Sequence, residues 1–173
     1  MSTLWKNGSF ATDSFVAVDD TSALPRGRPL IVSLERWRNE RETLLQLGQP
    51  IGLTVSPTAT LVPATDALDG IATVVIPFAK FTDGRGYSLA RRLRDEFNYR
   101  GEIRATGEVL LDQLPLMLRC GFDAFVVGHE PTRRALVNGH LPAITEVYQP
   151  AARITRGRFV RRTSEGAVPD AAE

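Results

Sequence analysis

The sequence predicts an α/β protein whose mainly parallel sheet of about five strands forms an open sheet or an incomplete barrel, preceded by an N-terminal hairpin. Two observations carry this. Short apolar runs alternate with helical patterns of about ten residues, the rhythm of crossover connections. One of those runs, Ile71–Phe78 (IATVVIPF), is apolar throughout and suits a strand buried on both faces.

The elements follow in chain order. LWKNG and SFATDSFVAV place two short apolar runs around Asn7-Gly8, a hairpin signal. Thr21 to Pro29 (TSALPRGRP) reads as a linker. Leu30–Val32 is strand-like, and Ser33 offers an N-cap oxygen to a helix through Trp37 and Leu47 that stops at Gly48. Ile51–Val55 is a second strand, followed by an irregular stretch with one short turn near Ala64–Leu68. After Ile71–Phe78 comes an amphipathic helix, Tyr87–Phe97, with Leu89, Leu93 and Phe97 four apart on one face. Glu102–Ala105 is a short strand, and Val109–Cys120 a helix that Pro115 should kink. Phe122–Val127 is a strand, Thr132–Asn138 a helix ended by Gly139, and Ala143–Tyr148 a last strand candidate. The organisation is a hairpin extension at 1–20, an α/β domain at 29–150 and a tail at 151–173.

Composition narrows the function classes. The 173 residues are 43% apolar and carry 21 basic and 20 acidic side chains, a net charge of +1. So balanced a charge makes no strong field for nucleic acid or membrane. No apolar run approaches the ~18 residues of a spanning helix, and no secretory signal is visible, so a cytoplasmic globule is expected. The tail is basic and then acidic: RITRGRFVRR has five arginines and no acid. It reads as a solvated, partly disordered end or as a docking arm for an acidic partner. Cys120 is the only cysteine and is expected to be a buried structural thiol. With His129 and His140 eleven positions apart, no metal site is expected. The composition leaves room for a homo-oligomer.

The stretch best suited to chemistry runs from Phe78 to Ser88, after the most apolar strand and into a helix. Ligands of open α/β sheets collect at the carboxyl ends of strands, where helix N-termini favour anions. Lys80, Thr82, Asp83, Gly84, Arg85, Gly86 and Ser88 therefore form a candidate anion site, with Arg104 from the next strand. Lys80 is one of only two lysines in this arginine-rich chain. Adjacent parallel strands bring successive loops to one rim, so Glu108, Asp112 and Gln113 are expected to support the cluster. A plain strand-to-helix turn with a salt-bridged rim fits the same residues. No serine–histidine–acid set or pair of catalytic carboxylates is assigned.

KFTDGRGYSLARRLR followed by GEIRATGEVLLDQLPLMLRCGFDAF closely resembles a bacterial family of unknown function, DUF934. The similarity spans Leu30 to Val127 and is strongest from Phe78 to Phe125, leaving the arginine-rich tail outside. Lys80, Phe81, Asp83, Arg85, Arg94, Arg104, Gln113 and Asp123 are among the matching positions, none with an established role. The resemblance implies a place in assimilatory sulfate reduction, with sulfite reductase as the expected partner. It implies no redox cofactor, because the chain has no dinucleotide fingerprint and one cysteine cannot hold a cluster. Two readings follow: an accessory protein of sulfite reduction, or an enzyme or sensor binding a small oxyanion or phosphorylated metabolite at loop 79–88.

Overall fold

The computed structural model describes residues 3–63, 66–142 and 151–152. The five parallel strands read from the apolar runs are present as β4 (Leu30–Ser33), β5 (Ile51–Thr54), β6 (Ile71–Phe78), β7 (Glu102–Gly107) and β8 (Ala124–Val126). The sheet nevertheless has eight strands. The three others come from the N-terminal segment: β1 (Leu4–Lys6), β2 (Ser9–Ala11) and β3 (Val16–Ala17). Asn7 and Gly8 turn the hairpin with φ of 51° and 82°, as a two-residue turn between right-twisted strands requires. β1 then pairs antiparallel with β8, which makes the hairpin part of the sheet. Strands of two and three residues give periodicity too little to act on, so their partners decide them.

The strand order is β2-β1-β8-β7-β6-β5-β4-β3. From β3 to β8 each strand lies parallel to its successor. Crossovers of one hand between sequential neighbours place the helices on one face. These crossover helices are α1 (Leu34–Gln46), α2 (Arg85–Asp95) and α3 (Leu114–Cys120), while α4 (Glu130–Val137) follows β8 and lies against β2. Val74, Ile76, Phe78, Ile103 and Ala105 point to that face and join Leu89, Leu93, Leu114 and Met117 in the core.

A short link sets the curvature. β2 and β3 are opposite edges of the sheet, yet only the four residues 12–15 separate them in the chain. Extended chain over that distance reaches about 18 Å, whereas a flat eight-stranded sheet would put its edges about 34 Å apart. The sheet therefore curls into a half-barrel, with helices outside and residues 12–15 strapped across the concave side.

Local signals mostly act where the sequence placed them. Ser33 Oγ accepts the Arg36 N–H at 2.9 Å and caps α1, and Gly48 (φ 65°) follows its end. Pro115 does not kink a long helix. A 3-10 turn at Leu111–Gln113 comes first, and Pro115 falls in the first turn of α3, where no N–H partner is lost. The strand candidate Ala143–Tyr148 and the arginine-rich run lie outside the described residues. Ala152 is buried and donates its N–H to the Arg119 carbonyl at 2.9 Å.

Candidate functional site

β6 and β7 end side by side, Phe78 opposite Gly107, so their outgoing loops share a rim. Gly107 has φ of 86°, and a Cβ there would strike the Phe78 carbonyl, so the close approach needs glycine. The Glu108 N–H then donates to that carbonyl at 2.9 Å. The Glu108 carboxylate accepts the Phe81 N–H at 2.9 Å, and Gln113 Nε2 donates to the Phe81 carbonyl at 2.8 Å. Both backbone polar groups of Phe81 are thus held by the neighbouring loop, while its side chain stays 49% exposed.

At the end of loop 79–84, Asp83 pairs with Arg85 of α2. The Asp83 carboxylate takes two bonds from the Arg85 guanidinium, at 2.8 and 2.7 Å. It also accepts the Arg85 N–H at 3.1 Å, an Asx turn leading into α2. These bonds hold its pKa down at about 2. One amide at the start of α2, that of Arg85, is therefore answered by the chain's own carboxylate. Lys80, Thr82, Gly84 and Ser88 are exposed around it, and Asp112 is exposed on the 3-10 turn. Gly86 is buried inside α2, where its missing side chain seats the Phe78 ring.

Arg104 is not part of this rim. It lies three residues before the end of β7, opposite Val75, and turns to the concave face. There it is 2% exposed and bonds Glu102 Oε1 through Nε and Nη2 at 3.0 and 2.8 Å. Its Nη1 donates to Asp13 at 2.7 Å, and the Phe15 ring lies 5.3 Å from its guanidinium carbon. Lys6 reaches the same Glu102 at 3.3 Å, and Thr73 donates to it at 3.3 Å. The strand period puts Glu102 and Arg104 on one face. Asp13 and Phe15 became visible only when the sheet curled.

A third feature is a cleft of about 400 Å³ at the ends of β7 and β8, lined by Phe81, Glu108, Val109, Leu110, Gly128 and His129. Glu108 alone among these is one of the candidate site residues read from the sequence, whereas Phe81 enters only as a motif position and His129 only as a possible metal ligand. His129 Nδ1 shares a hydrogen bond with Thr132 Oγ1 at 2.9 Å. Cys120 is half-buried, and burial raises its thiol pKa. Among the described residues no group of three or more His, Cys, Asp or Glu side chains is arranged to hold a metal, and no helix is long and apolar enough to cross a membrane.

No curated protein matches the chain. A family model described as "Bacterial protein of unknown function (DUF934)" matches residues 52–159. The match begins at β5, later than the motifs suggested, and extends into the arginine-rich run. It includes loop 79–84 and Arg104 but leaves Asp13 and Phe15 outside.

Proposed function

The chain belongs to the DUF934 family, and from that membership we propose that it is an accessory protein of assimilatory sulfite reduction, docking on sulfite reductase through the rim around Phe81. The observation that carries this reading is the fixed presentation of an exposed aromatic ring. Two side chains order the Phe81 backbone before any partner arrives, and such preorganisation lowers the entropic cost of docking. Rigid aromatic anchors commonly dominate interface energies. The neighbouring cleft gives a partner side chain a place to seat.

Affinity purification from cells growing on sulfate tests this. Sulfite reductase is expected to co-purify with the wild type, and Phe81→Ala to weaken the association roughly thirtyfold, a hot-spot loss of about 2 kcal/mol. Equal recovery with folded Phe81→Ala, or no recovery with the wild type, overturns the reading.

The second reading, a small oxyanion or phosphorylated metabolite bound at loop 79–88, draws support from Lys80, exposed at the same rim. Against it stands the engagement of Arg85 by Asp83. Calorimetry with inorganic phosphate decides: saturable binding lost in Lys80→Ala favours it, and no binding by the wild type removes it.

A further inference from the structure

We propose that the concave face around Arg104 is a binding site for a small organic monocarboxylate, and that Asp13, carried on the 12–15 strap, is its resident internal ligand. The argument is independent of the rim. Arg104 is almost wholly buried, and a guanidinium kept from water needs carboxylate partners. One, Glu102, sits two residues away on the same strand and takes Nε and Nη2. The other arrives on a segment outside the sheet and takes Nη1 alone.

That segment is lightly held. Thr12, Asp13 and Ser14 are exposed, and β2 and β3 at its ends have three and two residues. It runs into the two-residue ladder of β3 on β4, whose flanking bonds include the Val16 and Val18 N–H to Pro29 and Ile31. Segments with few buried apolar contacts and short ladders open at low cost. The Asp13 side chain is 36% exposed while Arg104 beneath it is 2% exposed. Lifting the strap therefore uncovers a guanidinium already oriented by Glu102.

Charge and shape select the ligand class. With Asp13 withdrawn, Arg104 and Lys6 face the single carboxylate of Glu102, leaving one positive charge. One guanidinium nitrogen is vacated, matching one carboxylate oxygen. Phe15, which lies over the guanidinium on the same strap, lifts with Asp13 and vacates room for the ligand's organic part. Glu102 opposes a second negative charge, so a monocarboxylate fits better than a divalent phosphate. The internal carboxylate acts at a high effective concentration, so an outside ligand must compete with it.

Full-length wild type, Asp13→Ala and Asp13→Ala/Arg104→Lys are compared in formate, acetate, inorganic phosphate and chloride at matched ionic strength. Thermal denaturation and acetate titration supply the readouts. Formate and acetate are expected to raise the melting temperature of Asp13→Ala above its value in chloride. Phosphate should do no better than chloride, and Arg104→Lys should abolish the difference. Acetate should bind Asp13→Ala at least tenfold more tightly than the wild type. In the wild type, acetate should speed hydrogen exchange at the Val16 and Val18 amides. Should Asp13→Ala not fold, Asp13→Asn, of the same shape without the charge, takes its place. Equal stabilisation by chloride, equal acetate affinity in wild type and variant, or unchanged exchange overturns the proposal. Phosphate outperforming acetate overturns the ligand class.

Discussion

Two glycines two positions apart have opposite physical duties. Gly84 has φ of −70° and ψ of −11°, and a Cβ there meets nothing within 4 Å. It is the N-cap of α2, with φ and ψ already helical. Gly84→Ala should therefore stabilise the protein by about 0.4–1 kcal/mol, chiefly by restricting the unfolded chain. At Gly86 a Cβ would fall 2.5 Å from Phe78 Cζ. Gly86→Ala should cost about 1–3 kcal/mol through overpacking, and urea denaturation of both variants checks the pair. The motif GRG shows both residues but not the Phe78 ring that separates their roles. Asp83 makes a third prediction. Its pKa is lowered to about 2, so its interaction with Arg85 is complete above the unfolded carboxylate range of about 4. The contribution is lost as pH falls through about 2. Carbon NMR of the Asp83 carboxyl should find that midpoint, and Arg85→Ala should return it toward 4.

Among the elements, α2 rests on its arginine as much as on its leucines. Arg94 is fully buried and bonds the Gly121 carbonyl through Nε and Nη2, the Tyr99 and Gly101 carbonyls through Nη1, and the Asp123 carboxylate. It ties the end of α2 to the start of β7 and to the turn before β8. Helical spacing leaves Arg94 outside the Leu89, Leu93 and Phe97 stripe. Arg94 is buried because two neighbouring turns direct three carbonyls at it, an arrangement helical spacing does not encode. Removing one member of a buried pair strands the other, so Arg94→Ala should destabilise by about 3–5 kcal/mol. Pro115→Ala should change stability by less than about 1 kcal/mol, far below the ~3 kcal/mol of an interior helical proline. Chemical denaturation measures both. The proline was legible as a helix signal, but its position depended on the 3-10 turn that precedes it.

At the scale of the molecule, the N-terminal seventeen residues close both sides of the design. β1 covers the β8 edge, and β3 covers the β4 edge. Deleting 1–18 should bare two strand edges and the concave face, giving soluble aggregates by light scattering where the full chain gives none. The sequence by itself determined the five parallel strands, the crossover helices, the Asn7-Gly8 turn, the Ser33 cap and the shared rim of the loops after β6 and β7. Each is a local signal, or follows from parallel neighbours ending together. Only the tertiary structure decided that the hairpin enters the sheet, that Arg85 is engaged by Asp83, and that Arg104 leaves the rim for Asp13, 91 positions away. The alternation of a strand places Glu102 beside Arg104, but no periodicity reports how far a sheet curls. That curl comes from a four-residue link joining opposite edges, a constraint that exists only once every strand has found its partner.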